Sequence, residues 1–237
     1  LGEGWRQQLY LLHLGDELQL NDIGYLDRND FNYVRYELAR RRSGFPEDSK
    51  YASWETRWAV SNRRNVRGTV IAEAAAINRS SERRDGGSEF WEVAAWSSGH
   101  DDLITRGNGV LRVPEKLYAN WERSRPRQGA WAWKGWARLA GEGLEGAEGS
   151  GLELGIEPTL HLSDSLSVQA RASIKHAPDW LLWRGGDRLG SFRADTARLG
   201  LNLQWQIGHR QELRVKLETI ALDARLRQAW AVRADGE

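Results

Sequence analysis

The segment between residues 197 and 207 alternates strictly between apolar and polar side chains. The apolar set is Ala197, Leu199, Leu201, Leu203, Trp205 and Ile207, and the polar set is Arg198, Asn202, Gln204 and Gln206. A period of two places successive side chains on opposite faces of a β-strand. Residues 212–218 repeat the pattern. Adjacent strands of this kind, each with one apolar and one charged face, are typical of a transmembrane β-barrel, whose outer face meets lipid.

Similar alternation along the rest of the chain predicts an all-β fold, an antiparallel transmembrane β-barrel. The predicted strands are 5–13, 30–40, 52–62, 67–78, 88–97, 114–123, 130–140, 150–162, 165–175, 191–207, 211–222 and 226–233. Short turns and long outer loops alternate in such barrels. An additional strand near 101–106 preserves that alternation and gives about thirteen strands, with an even number expected in the full barrel. The predicted long loops are 41–51, 79–87, 141–149 and 176–190.

Composition narrows the function classes further. The formal net charge is only +1, which gives no electrostatic reason to expect a nucleic-acid partner. Thirteen Trp are a strong excess, and Trp is favoured at membrane interfaces. Cys is absent, which excludes disulfides and zinc–thiolate sites. Met is absent and no signal peptide precedes Leu1, so we expect residues 1–237 to be a single barrel domain from within a longer protein.

Two short motifs resemble the bacterial domain-of-unknown-function family 5916. The segment from Asn21 to Asp30 (NDIGYLDRND) is similar to one family motif, and the segment from His100 to Gly107 (HDDLITRG) is similar to another. The resemblance implies an outer-membrane barrel that follows a signal peptide and a module like family-9 carbohydrate-binding domains. It also implies that this module and the closing strands lie outside the chain. The motif residues are expected to form turns: Asn21, Asp22, Gly24, Asp101, Asp102, Thr105, Arg106 and Gly107.

Catalytic and metal-binding patterns are missing from the sequence. The five His residues show no metal-ligand spacing, so we predict no metal and no cofactor. Ser97, His100 and Asp101 are close in sequence, but such adjacency does not produce the geometry of a catalytic triad. A polar turn is the preferred interpretation of this segment, and we predict that the protein is not an enzyme.

The charged face of the strands is the best functional candidate. We expect these side chains to line a lumen: Lys134, Arg138, Glu153, Glu157, Arg171, Lys175, Arg198, Gln204, Arg214, Lys216 and Glu218. Their charges either pair and rigidify a filled barrel or line a wet channel for polar solutes. Similar numbers of each sign argue against strong ion selectivity.

Three hypotheses follow. The first is a porin-like pore or transport barrel in a Gram-negative outer membrane that carries polar solutes, with saccharides as the class that the resemblance suggests. The second is a non-conducting anchor or assembly platform for an N-terminal module or for a periplasmic or surface protein. The third is a soluble, Trp-rich β-sandwich that binds carbohydrate. In the first two, the partners are outer-membrane lipid and lipopolysaccharide.

Overall fold

The computed structural model describes residues 4–15, 17, 30–106 and 108–232. Asn21, Asp22, Gly24 and Gly107 lie outside the described residues. The described residues contain thirteen strands: β1 (Trp5–Leu14), β2 (Phe31–Ser43), β3 (Tyr51–Arg64), β4 (Val70–Arg83), β5 (Ser88–Trp96), β6 (Gly99–Asp101), β7 (Leu111–Val113), β8 (Lys116–Gln128), β9 (Trp131–Glu142), β10 (Gly146–His161), β11 (Leu166–Gly185), β12 (Arg188–Gln206) and β13 (Glu212–Ala231). The described residues form no helix long and apolar enough to cross a membrane.

Eleven of these strands form one antiparallel sheet, which confirms the all-β, antiparallel part of the prediction. The order is β1-β2-β3-β4-β5-β8-β9-β10-β11-β12-β13, so each strand of the sheet pairs with the next one along the chain. β6 and β7 form a separate two-stranded pair. Within the described residues no ladder joins β1 to β13.

The predicted strand at 101–106 is wrong. Trp96 pairs with Lys116 at the end of β5 and β8, and Gly99 pairs with Val113 in β6 and β7. The residue numbers of each pair have the same sum, so β6 and β7 continue the β5–β8 hairpin in an unchanged register. The chain therefore leaves the large sheet at the end of β5 and re-enters it at the start of β8, the neighbouring strand, so the β6–β7 hairpin adds no strand to that sheet.

This hairpin changes which connections lie together. One end of the sheet, here the turn end, carries residues 44–50, 84–87, 129–130, 162–165 and 207–211. The opposite end, here the extended end, carries residues 65–69, 143–145 and 186–187 and the β6–β7 hairpin. The predicted long loops 41–51 and 79–87 thus lie at the opposite end from 141–149 and 176–190, whereas the sequence analysis placed all four on one side.

Several predicted interruptions of the strands are shorter than expected or absent. Most of the predicted loops 141–149 and 176–190 is strand, with connections only at 143–145 and 186–187. The predicted strands 211–222 and 226–233 are one strand, β13. The β9–β10 ladder passes Pro158 without a register shift, because Pro158 still pairs with Trp133 between regular neighbours. Pro lacks a ladder donor, so the sequence predicts a bulge or a strand edge here; no bulge forms, but the β10–β11 ladder skips Glu157 and Pro158 without a register shift.

Burial in this sheet is the reverse of that in a typical globular core. The exposed residues include Leu11 at 71% and many other large apolar side chains, whereas Glu37, Thr56 and Asn120 are buried. Soluble domains bury Leu and Ile and expose their charges. The sheet instead turns an apolar face outward to its surroundings and covers its polar face with its own side chains.

Candidate functional site

The apolar face of the sheet is a continuous belt that crosses all eleven strands. Cross-strand register places its members side by side, from Leu9 beside Tyr36 to Leu201 beside Leu217. Its central residues are exposed Leu, Ile, Val and Trp side chains: Leu11, Val34, Trp58, Val60, Val93, Leu117, Leu139, Leu154, Ile156, Ile174, Leu199, Leu201 and Leu217. So large an exposed apolar surface marks an interaction with lipid or with another macromolecule.

Tryptophan and arginine border the belt toward the turn end. Arg79 lies 4.5 Å from the ring centroid of Trp54 and 5.8 Å from that of Trp91. Arg40 lies 5.2 Å from the centroid of Trp5 in the same way. A guanidinium over an aromatic face is a favourable cation–π contact. This border matches the amphipathic composition of a membrane–water interface.

Hydrogen-bonded polar pairs border the belt toward the extended end. His13 Nδ1 lies 2.7 Å from Asn32 Oδ1, and His176 Nδ1 lies 2.6 Å from Asp195 Oδ1. Between them, Asn62 donates to Glu73 at 2.6 Å. These residues occupy the same face as the belt, so the apolar surface has a limited height with a polar edge on this side.

The opposite, polar face holds all eleven residues that the sequence analysis selected for the lumen. The registers Arg138–Glu153–Lys175 and Gln204–Arg214 place these side chains on one face across β9 to β13. The strand pairing shows that the eleven side chains share one face of the sheet. That they line a lumen remains a prediction.

Glu122 is the centre of the tightest charge cluster on the polar face. It accepts hydrogen bonds from Lys134 Nζ and Arg138 Nη2, each at 2.9 Å. Arg138 also donates to Asn120 at 3.2 Å and lies 3.9 Å from Glu153. One carboxylate thus links two adjacent strands, and Arg138 extends the network to a third. The sequence analysis missed Glu122, although its alternation with Asn120 and Ser124 in β8 was a usable signal.

A second cluster on β1 to β3 repeats this arrangement. Arg57 donates to Glu55 at 2.6 Å, Arg6 reaches the same carboxylate at 3.1 Å, and Arg35 donates to Glu37 at 2.9 Å. Arg57 also lies 3.9 Å from Glu37, which joins β3 to the neighbouring β2, and Arg6 extends the cluster to β1.

A buried carboxylate fixes the extended end. Asp179 is 2% exposed, and its Oδ2 accepts from the backbone N–H groups of Leu144 and Glu145 at 2.6 and 2.8 Å. Its Oδ1 accepts from the Ser191 hydroxyl. Asp179 thereby ties the β9–β10 turn to β11 and β12. No local sequence pattern could have indicated this role, because its partners are remote in sequence.

The HDDLITRG motif builds the tip of the β6–β7 hairpin. Asp101 Oδ1 accepts from the backbone N–H groups of Leu103 and Ile104, which is the geometry of a turn stabilised by an Asp side chain. Thr105 is fully buried and donates to the carbonyl of Gly109. Arg106 has a φ of 53° and lies 4.4 Å from the ring centroid of Trp183 on β11. Asp102 lies in the same turn.

The β6–β7 hairpin packs against the extended end of β11 to β13, and Leu144 of the β9–β10 turn joins the same contact. Leu111 of β7 packs with Leu189 of β12 and with Val232, which follows β13. The three form a small apolar cluster at the extended end, and the motif residues around Arg106 hold the hairpin against it.

Ser97, His100 and Asp101 are engaged separately. His100 Nδ1 lies 3.0 Å from the carbonyl of Val70, and the Ser97 hydroxyl donates to the carbonyl of Ser98. Asp101 is occupied in the turn described above. Across the described part of the chain, no group of three or more His, Asp or Glu residues is arranged to hold a metal ion.

Comparisons with protein-family models, with curated proteins and with solved structures found no match for this chain. The two faces of the sheet are therefore the features of this chain that bear on its function.

Proposed function

We propose that the chain is the greater part of a transmembrane β-barrel in a Gram-negative outer membrane, and that the barrel conducts polar solutes. The observation that carries the proposal is the reversal of burial. An apolar belt is exposed across all eleven strands, while carboxylates such as Glu37 and Glu122 are covered on the other face. Lipid around the belt removes the cost of that exposure.

The height of the belt supports this placement. On β10 the apolar face runs from Leu152 to Leu160, which is ~27 Å of strand at ~3.4 Å per residue. A tilt of ~40° reduces this to about 21 Å along the membrane normal, close to the ~25 Å apolar band of outer-membrane barrels. The border with Trp54 and Arg79 then lies in one membrane–water interface, and the border with His176 and Asp195 lies in the other.

The ends of the sheet give the proposed orientation. Outer-membrane barrels have short periplasmic turns and longer extracellular segments. The turn end therefore faces the periplasm. The extended end faces the exterior. It carries the β6–β7 hairpin and the ends of β11 to β13 around residues 186–187.

Conduction is supported by the charged and hydrogen-bonding side chains that the polar face carries, above all from β8 to β12 and on the first half of β13. Saccharides as the solute class, and membership of family 5916, are proposals that depend only on the two motifs. The dense ion pairing around Glu122 favours the second candidate, a rigid, non-conducting anchor. Two facing sheets of similar size would favour a sandwich, whereas the described residues form one large sheet and one short pair.

Single-channel recording in planar bilayers tests the proposal, with Ser173→Trp and Ala172→Trp as matched variants. These neighbours lie on β11, Ser173 on the polar face and Ala172 on the apolar face. We expect stable conductance steps that Ser173→Trp reduces and Ala172→Trp leaves unchanged. A well-inserted but silent protein would overturn conduction and favour the anchor. Equal effects of both variants would overturn the assignment of faces.

A further inference from the structure

A polar pocket lies on the polar face where β12 carries a glycine. Gly200 pairs with Arg171 on one side and with Glu218 on the other, so the row lacks a side chain at its centre. The resulting depression has a volume of about 210 Å³. Arg198 and Lys216 also line it.

The carboxylates on the β10 side of this pocket already have partners. Glu157 accepts from Gln169 at 3.0 Å and lies 3.6 Å from Arg171. Glu153 accepts from the Trp136 indole at 3.0 Å. Both carboxylates are largely covered, with side chains 22% exposed for Glu153 and 23% for Glu157, whereas the Arg171 side chain is 59% exposed. The basic groups therefore stand between these acids and the opening of the pocket.

The cations are less completely engaged. Arg198 is exposed, lines the pocket and has no ion pair or side-chain hydrogen bond with any described residue. Lys216 faces Glu218 at 3.5 Å, and Glu218 is itself half exposed. A guanidinium with all its donors available is suited to a planar or tetrahedral oxyanion, which it binds with two parallel hydrogen bonds.

We propose that this pocket binds the oxyanion group of a small solute, with Arg198 as the primary donor and Arg171 and Lys216 as supporting charges. The inference rests on the proposed pore, because it gives the polar face a solute-binding role. The whole face has similar numbers of acids and bases, which predicts weak overall ion selectivity. The pocket is a local exception, because Glu153 and Glu157 are recessed, Glu218 faces Lys216, and Arg198 has no ion pair with any described residue.

Phosphate binding tests this inference independently of conduction. Inorganic phosphate is titrated into the detergent-solubilised protein, and intrinsic fluorescence is followed, since the Trp136 ring lies 5.0 Å from Arg171. The test variant is Arg198→Gln. The matched control is Arg214→Gln, because Arg214 is also on the polar face of this region but donates to Glu212 at 2.8 Å.

We expect saturable binding that Arg198→Gln weakens about tenfold or more, the loss typical of a charged hydrogen bond, and that Arg214→Gln changes less than about twofold. No saturable binding by the unaltered protein, or equal loss in the two variants, would overturn the pocket. In bilayers, phosphate is expected to reduce the chloride current of the unaltered protein but not that of Arg198→Gln. A silent protein that still binds phosphate through Arg198 would refute the pore and retain the pocket.

Discussion

The variant Ile156→Arg tests whether the apolar belt faces lipid or water. Ile156 is at the centre of the belt on β10 and is 51% exposed. Its cross-strand partners are Gly135 and Ala172, which are small enough to leave room for the longer side chain. The cost of the substitution is therefore set by the medium around the side chain, and steric overlap contributes little.

The two media predict different magnitudes. On a water-exposed surface such a substitution changes stability by about 0.5 kcal/mol or less. At the midplane of a bilayer, Arg on the lipid face of a barrel costs about 2–4 kcal/mol. That cost corresponds to a decrease of roughly 30- to 900-fold in the folding equilibrium constant. We expect the larger effect.

Thr159→Arg is the matched control for this prediction. Thr159 is on the same strand and is also β-branched, but it lies on the polar face between Ala132 and Gln169, neither of which is charged. Reversible denaturant unfolding in phospholipid vesicles, followed by Trp emission, measures both variants. We expect Thr159→Arg to cost less than about 1 kcal/mol, as for an ordinary strand-propensity change. Equal costs for the two variants would refute the assignment of the apolar face to lipid.

Three further predictions address the polar face, the extended end and the orientation. Glu122→Gln is expected to destabilise the protein by about 1–3 kcal/mol because it leaves two cations facing each other. Glu92→Gln, on the same face but with no ion pair to any described residue, should be nearly neutral in the same unfolding assay. Asp179→Ala should accelerate hydrogen exchange in the β9–β10 turn and not in the belt, because two backbone N–H groups lose their acceptor; unchanged exchange would contradict its anchoring role. The chain has no Cys, so single Cys variants can be labelled selectively on intact cells with a membrane-impermeant maleimide. Asp187→Cys at the extended end should be labelled and His209→Cys at the turn end should not. The reverse result would invert the proposed orientation.

The facing of the charged residues could be predicted from the sequence because a period of two is a local property. Arg198 and Arg214 needed only their own strands to be placed correctly. The interruption predicted in β13 has a physical cause. Asp223 and Arg225 continue the face that carries Leu217, but Asp223 lies level with Asp195 in the polar border of the belt and Arg225 lies beyond it. Beyond that border, residues on the face of the belt no longer need to be apolar. The alternation of apolar and polar residues therefore ends before β13 does.

The parts of the site that could not be predicted depend on contacts between remote segments. Asp179 acts through a turn more than thirty residues earlier in the chain. The pocket at Gly200 requires the registers of four strands to be known. The extra strand near 101–106 was inferred from loop alternation alone, and only the shared register of Trp96–Lys116 and Gly99–Val113 excludes it.

The number of strands in the sheet leads to the last prediction. In a meander each strand reverses the direction of the one before, so with eleven strands β1 and β13 run in the same direction. Direct closure would require one parallel pair in an otherwise antiparallel sheet. An even-numbered barrel places at least one further strand between them, which also satisfies the backbone groups that neither edge can expose to lipid.

Engineered disulfides test this closure in the Cys-free chain. Leu9→Cys on β1 is combined in turn with Leu213→Cys, Leu217→Cys and Ala221→Cys on β13, all on the apolar face. Cα atoms must approach within about 7 Å for a disulfide to form, whereas a strand inserted between β1 and β13 separates them by about 9–10 Å. We therefore expect no crosslink in any of the three variants, while the neighbouring pair Leu9→Cys with Tyr36→Cys should crosslink readily. Efficient oxidation of any β1–β13 pair would instead establish an eleven-stranded barrel closed by parallel strands.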